Sequence, residues 1–288
     1  MIGKIQRNFA QTRQSMTFDT HLVGKIGSMA LIDRAAGLID YTRVARLSRE
    51  LRPGDIWISS GATEIGRLDY LARGGIELTD DTAKTDYAAQ GQTILMQTYR
   101  QFIDAKYSVR QVLVEHQHFN DVAKSEHLKS LLLRCKQQNA IPIVNYNDAV
   151  SGEENRRMEI AALSLGHERV YECVDNDETA AHIACLVRAE NLVILTSTDG
   201  IYTDPDNPET LVPYIGGKDV YELLDNIEAH KLYCDGASRA GANGAKAKLE
   251  YVKEAAAQGT TVYIAAARFT LASILNGDAP STKIGISK

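Results

Sequence analysis

Short apolar runs alternate along the chain with longer stretches of helical spacing. Six runs, residues 21–27 (HLVGKIG), 55–60 (DIWISS), 109–115 (VRQVLVE), 141–145 (IPIVN), 191–197 (NLVILTS) and 259–265 (GTTVYIA), are rich in β-branched residues and bounded by Gly, Pro or Asp. They are apolar throughout rather than alternating, which predicts strands covered on both faces, as in a mainly parallel sheet flanked by helices. Between them, Val44, Leu47 and Leu51 recur at i, i+3 and i+7, and Val122, Leu128, Leu132 and Cys135 follow a candidate cap at Asp121. These stretches read as crossover helices, and the expected fold class is α/β. Trp57 and Met96 sit in apolar segments and are expected in the core. Residues 151–172 are harder to assign, because a helical stretch runs into 170–174 (VYECV), a candidate short strand. Residues 204–210 (DPDNPET) read as a surface loop or a junction between lobes.

With 288 residues, one large α/β domain or two intimate lobes fit, since single cores stop growing near roughly 250–300 residues. Apolar residues at 44% and charged residues at 24% exclude a disordered, collagen-like or coiled-coil chain. Thirty-seven acidic against 32 basic side chains leave a formal charge of −5, with no basic block, so neither nucleic acid nor an anionic membrane surface is an expected partner. Cys135, Cys173, Cys185 and Cys234 form no C-x-x-C pair and read as reduced, buried thiols. No apolar run approaches the roughly 18 residues of a membrane span. The first twenty residues contain no apolar signal-peptide core, so the expected location is the cytoplasm.

Ligands of open α/β sheets gather outside the carboxyl ends of the strands, so the residues following each run are the candidates for chemistry. The first run ends in Lys25-Ile26-Gly27-Ser28, a cation beside a glycine that lets backbone approach an anion, or simply a surface lysine. The second ends in Ser59-Ser60-Gly61-Ala62, a ligand-facing turn or a plain one. Asn145-Tyr146-Asn147-Asp148 and Asp175-Asn176-Asp177 are polar clusters that Asx turns and helix caps also explain. Thr196 to Gly200 follows the fifth run. Gly241 to Lys248 (GANGAKAK) combines glycine and lysine in a loop entering the helix KLEYVKEAAAQ, as a phosphate cradle does. No Walker A motif and no G-x-G-x-x-G after a strand is present. His116-x-His118 lacks a third ligand at metal spacing and reads as a solvated loop; no metal site is expected.

Taken in order, these motifs form a series. It comprises Lys25, Gly27 and Ser28; Ser59 to Ala62 followed by Gly66; and a G-Q-x-x-L-M-x-x-Y helix (Gly91, Gln92, Leu95, Met96, Tyr99). Then come I-P-I-V-N-x-N-D-x-V (Ile141 to Val150), D-N-D (Asp175 to Asp177), L-T-x-x-D-G-I-Y-T-D-P (Leu195 to Pro205) and a G-x-x-G-x-x-x-K-L loop ending at Lys248 and Leu249. From about residue 20 to the end this series resembles the amino acid kinase family, and N-x-N-D with D-N-D is similar to its glutamate kinase branch.

The resemblance implies a three-layer αβα sandwich with a mainly parallel central sheet. It implies one domain over 1–288, with an acceptor-binding lobe at about 20–180 and a nucleotide-binding lobe at about 181–288. The implied activity is ATP-dependent phosphorylation of a small-molecule carboxylate, the γ-carboxylate of L-glutamate first, with Mg²⁺ as cofactor and a homo-oligomer as the expected assembly. Lys25, Asp177 and Lys248 would be catalytic, and Ser60, Gly61, Ala62, Asn145, Asp148 and Asn176 would hold the acceptor. Lys25, Gly27, Thr196, Ser197, Asp199, Gly200, Tyr202, Gly241, Ala242, Asn243, Gly244 and Lys248 would hold the nucleotide. The accessory C-terminal domain that many members of the branch carry has no counterpart in these 288 residues.

Tyr146 stands where the family has Glu, Val174 where it has Gly and Ser197 where it has Asp. The loop G-A-N-G-A-K-A-K replaces the usual G-T-G-G-M-x-T-K. Two alternatives stay open: a kinase for another small carboxylate, phosphonate or phosphate, and a nucleotide-binding storage or regulatory protein without turnover.

Overall fold

The computed structural model describes residues 17–33, 35–80, 82–166, 170–173, 175–204, 206–234 and 242–287. Among the described residues, ten strands form in chain order. They are β1 (Thr20–Ile26), β2 (Ile32–Asp33), β3 (Leu38–Ile39), β4 (Asp55–Ser59), β5 (Ser108–Val114), β6 (Ala140–Tyr146), β7 (Ala189–Thr196), β8 (Tyr214–Gly217), β9 (Thr261–Ala266) and β10 (Ser281–Ile286). Eight of them build one sheet in the order β5-β6-β4-β1-β7-β9-β10-β8, and β2 pairs with β3 in a small hairpin. The β5·β6, β4·β6, β7·β9 and β8·β10 pairs are parallel, and β9·β10 is antiparallel. The fold class is α/β with a mostly parallel central sheet, as the uninterrupted apolar runs require.

All six predicted strands form. The sequence pattern did not mark β8, β10 or the β2/β3 hairpin. β8 has only four residues, two of them glycine, and β10 (STKIGI) buries Thr282, Ile284 and Gly285 between polar positions, so neither presents a continuous apolar run. The segment 170–173 adopts no regular structure, contrary to the candidate strand there, and Val174 lies outside the described residues. Residues 204–210 form an exposed loop closed by a 3₁₀ turn at Pro208–Thr210; Pro205 lies outside the described residues.

The chain divides into two compact units, Gly24–Thr179, and Ala180–Lys288 with the chain up to Val23. In the first, Tyr41–Glu50 is a helix capped by Asp40, which accepts from the Arg43 N–H at 2.9 Å, with Val44 and Leu47 buried. The helix Val122–Arg134 is capped by Asp121 as expected. Its inward stripe is Leu128, Leu132 and Cys135, whereas Val122 is 81% exposed. Six residues before Leu128, Val122 lies about a third of a helical turn out of phase with that stripe.

Trp57 is fully buried in β4, and Met96 is half-buried. The Trp57 indole N–H donates to the Tyr99 hydroxyl at 2.9 Å, which in turn donates to Ser59 Oγ at 2.9 Å. Burial pushes the Tyr99 hydroxyl up to about 12. This buried chain fixes the end of β4 against the long helix Ala83–Phe102. That helix meets the helix Ala62–Ala72 at Gly66 and Gly91, where added Cβ atoms would lie 1.8 Å from the carbonyl oxygens of Tyr87 and Ala62. The second unit buries Leu192 to Leu195 of β7 and Val262 and Ile264 of β9, together with Ile183, Leu223 and Val252 of its helices. Among the described residues no helix is long and apolar enough to cross a membrane.

Candidate functional site

Lys25 is the penultimate residue of β1 rather than part of the turn after it, and only 7% of it is exposed. Its Nζ lies 2.5 Å from Oδ1 of Asp177, which is 5% exposed. Asp177 stands in the first turn of the helix Asn176–Leu186, where the helix dipole favours an acid. Asp175 caps that helix, Oδ1 accepting from the N–H groups of Asp177 at 2.7 Å and Glu178 at 3.0 Å. Asp175 keeps solvent on its surface yet is ringed by protein, and that partial desolvation, reinforced by the Asp177 carboxylate, holds its carboxyl above the usual range. Removing both members of an ion pair from water costs several kcal/mol per ion, so a buried Lys–Asp pair is weak evidence for stability and a candidate for function.

The carboxyl ends of β4 and β6 open onto a cleft of about 270 Å³. Ser60, Gly61, Ala62, Asn145, Asp148 and Asn176 all line it, together with Ser28, Thr63, Glu64, Lys84, Tyr146 and Asp175. Gly61 turns the chain with φ +105°, a left-handed conformation that an L side chain rarely adopts, and the helix Ala62–Ala72 starts directly after it. The amide network is oriented from the backbone outward. The Tyr146 N–H donates to Asn145 Oδ1 at 2.9 Å, which leaves Asn145 Nδ2 to donate to Gln92 Oε1 at 2.8 Å. Asn176 Nδ2 donates to the same Asn145 oxygen at 2.9 Å and to Ser60 Oγ at 3.1 Å. Asn176 Oδ1, buried and without a hydrogen-bond partner among the described residues, is left as an acceptor. Asp148 follows β6 and pairs with Lys84 at 3.2 Å. Gly27 is half-buried after β1 and precedes the short helix Ser28–Leu31.

Tyr146 is 4% exposed, with its hydroxyl 3.2 Å from Ser151 Oγ and 3.5 Å from His116 Nδ1, and with Arg156 5.6 Å over its ring. His116 is therefore not a solvated loop residue. It is 2% exposed, its Nε2 lies 3.0 Å from Glu159, and burial lowers its pKa. Pattern reading misses it because β5 ends two residues earlier, at Val114, and the short helix Gln117–Asn120 that starts after His116 folds the histidine back beside Tyr146.

The remaining candidates belong to the other unit. Thr196 ends β7 half-buried, and Ser197 is exposed. Asp199 accepts from Arg268 Nη2, 2.6 Å from Oδ2 and 2.5 Å from Oδ1. Gly200 is buried, and the next N–H, of Ile201, donates to Thr282 Oγ1 at 2.8 Å. Tyr202 bridges Leu211, and burial, then Asp199, raises its pKa. The stretch expected to be a loop is instead helical from Ala242 to Ala257, so Ala242, Asn243, Gly244 and Lys248 stand in its first two turns. Alanine and lysine are strong helix formers and outweigh a single glycine. Lys248 Nζ lies 3.4 Å from the Gly244 carbonyl oxygen. Gly241 lies outside the described residues. Lys84, Gln92, Arg268 and Thr282 had no assigned role in the sequence. Gln92 alone stood in a recognisable motif.

A sequence profile described as the amino acid kinase family matches residues 21–266. Glutamate 5-kinase of Geobacillus thermodenitrificans is 31% identical over 277 residues, 92% of this chain and 67% of that protein. The enzyme of that name from Rhodopseudomonas palustris is 30% identical over 259 residues (86% and 62%), and glutamate 5-kinase 1 of Bacillus licheniformis is 32% identical over 285 (92% and 69%). The chain thus spans 62% to 69% of the length of these relatives. Among solved structures, carbamate kinase from Giardia lamblia bound to AMP-PNP aligns over 93% of this chain and 98% of its own, with TM-score 0.58 and 15% identity. UMP kinase from Bacillus anthracis aligns over 92% and 96%, with TM-score 0.52 and 12% identity, a likeness of fold alone. With the profile matching most of its length, this chain belongs to the amino acid kinase family.

Proposed function

We propose that this chain transfers the γ-phosphoryl group of ATP to the γ-carboxylate of L-glutamate, giving glutamyl 5-phosphate and ADP. The observation that carries the reading is the Asn176 amide, which links Ser60 and Asn145 across the cleft and precedes Asp177 of the buried Lys25 pair. The family and the names of the relatives support it.

Phosphoryl transfer to a carboxylate brings two anions together, so positioning and charge neutralisation matter more than proton removal. A carboxylate with a pKa near about 4.3 is ionised at neutral pH and needs no general base. In the proposed step a carboxylate oxygen bonds to the γ-phosphorus as the bond to the β–γ bridging oxygen breaks, and ADP leaves with that oxygen. Lys25 neutralises charge on the transferring group, and Asp177 fixes its ammonium. Lys248 serves the leaving oxygens from the nucleotide side. Asp148 receives the acceptor's ammonium group, while Ser60 and Asn176 supply neutral hydrogen bonds. The reading assigns the acceptor to residues of about 20–180 and the nucleotide to about 181–288.

Among the described residues no three His, Cys, Asp or Glu side chains stand together to hold a metal, so the fit is to Mg²⁺ arriving on the nucleotide phosphates. When bound there it supplies neutralisation of phosphate charge.

Tyr146 favours a second reading, the same transfer to a different small acceptor, because it forms part of the cleft wall. The test is ADP release from Mg-ATP with L-glutamate, L-aspartate, N-acetylglutamate, glutarate, UMP and small phosphonates in turn. Release that depends on L-glutamate supports the first reading. Release with another acceptor alone moves the assignment to that compound, and a thermal shift with ATP but no acceptor-dependent release would leave only nucleotide binding.

A further inference from the structure

Lys84 is the one cation among the described residues that line the acceptor cleft, whose acidic side chains are Glu64, Asp148 and Asp175. Glu64 is already matched, its two oxygens accepting from Arg67 Nη2 at 2.7 Å and Nε at 3.0 Å. Asp175 holds the cap of the helix behind it. Asp148 faces Lys84 at 3.2 Å.

The two partners are set differently. The Asp148 side chain is 19% exposed and follows Asn147, whose N–H donates to the Val114 carbonyl at 2.9 Å and whose Nδ2 donates to Glu115 at 2.8 Å. The Lys84 side chain is 54% exposed on a flexible stem and can swing. Lys84 is also badly placed for its helix. It is the second residue after the Thr82 cap of Ala83–Phe102, where the positive end of the macrodipole favours an acid. A lysine there weakens the helix and concentrates positive potential at the cleft's edge.

We infer that Lys84 reads the non-reacting carboxylate of the acceptor, and that its pairing with Asp148 is exchanged when the acceptor binds. The inference rests on the proposed amino-acid acceptor. The ammonium group takes Asp148 and the neighbouring carboxylate takes Lys84, so one ion pair becomes two, and these two groups of the acceptor together add no net charge to the cleft. An acceptor whose second carboxylate is an amide leaves Lys84 uncompensated and binds less well.

The test is isothermal titration with L-glutamate and with L-isoglutamine, which keeps the γ-carboxylate and the ammonium but carries an α-amide, with ADP release measured in parallel. The wild type is expected to bind glutamate about tenfold or more tightly than isoglutamine, the range of a charge-assisted hydrogen bond. Lys84→Gln should erase that preference by weakening glutamate alone, and Lys84→Arg should keep much of it. A preference that survives Lys84→Gln, an equal loss for both ligands, or no binding of either by the wild type overturns the assignment. Preference lost in Lys84→Gln without any ADP release from the wild type supports Lys84 while contradicting the phosphotransfer reading. Turnover with the preference intact in Lys84→Gln does the reverse.

Discussion

Lys25 and Asp177 meet 2.5 Å apart with side chains 8% and 7% exposed, one from the penultimate position of β1 and one from the first turn of a helix. Breaking such a pair leaves a buried charge and costs roughly 3–5 kcal/mol, whereas removing both charges is often nearly neutral. Asp177→Asn and Lys25→Met are therefore expected to lower both stability and turnover, the latter by roughly 10²-fold or more. The double variant Lys25→Met/Asp177→Leu should regain most of the melting temperature and none of the activity. Recovery of turnover in the double variant would show that the pair is structural only.

The amide bridge makes a separate prediction. Asn176→Ala and Asn145→Ala remove hydrogen bonds worth about 1 kcal/mol each and leave partners unsatisfied in the cleft. Steady-state kinetics should show KM for the acceptor raised about tenfold with KM for ATP nearly unchanged. An effect confined to ATP would place these amides at the wrong substrate.

Gly91→Ala tests the close approach of the two long helices by its sign. In a free helix alanine is better than glycine by about 1 kcal/mol. Here the added carbon would lie 1.8 Å from the Ala62 carbonyl oxygen, so the helices must separate and the variant should be destabilised by about 1–3 kcal/mol or more. A raised midpoint in a urea titration would contradict the packing.

His116 carries the expected pH dependence. Burial lowers its pKa from 6.5, opposed by Glu159 and Glu115 and aided by Arg156 and His118. The unfolded chain then takes up a proton at a higher pH than the folded one. The stability contributed is whole above about 6.5 and is lost as the pH falls through the lower folded value, with a slope of at most about 1.4 kcal/mol per pH unit. His116→Gln should flatten the wild-type decline on acidification below 6.5, read from denaturant midpoints; identical slopes would exclude this histidine as the cause.

Much of the fold was legible because β1, β4, β6, β7 and β9 are buried almost throughout and read as apolar runs, while β5, an edge strand interrupted by Arg110 and Gln111, still carries Val109, Val112, Leu113 and Val114. β8 and β10 were not, since a four-residue edge strand with two glycines and a strand with Lys283 at its centre carry no such run. In the cleft, Ser60, Asn145, Asp148 and Asn176 were legible because each stands at or just after the carboxyl end of a strand or at the start of a helix, where side chains can line a cleft. Lys84 was hidden in the polar run AKTD, where nothing local separates a lysine that lines the cleft from a solvated one. Arg268 was hidden for another reason: its partner Asp199 is 69 residues away, and only the folded chain brings the two together.

The most direct test of the central claim follows the oxygen that forms the new bond. L-Glutamate labelled with ¹⁸O in its γ-carboxylate is incubated with Mg-ATP, the protein and hydroxylamine, which attacks the carbonyl of an acyl phosphate and expels phosphate with the bridging oxygen. The account predicts γ-glutamyl hydroxamate equal in amount to ADP, and phosphate carrying one ¹⁸O. Unlabelled phosphate, or ADP that forms equally well without glutamate, would contradict transfer to the carboxylate.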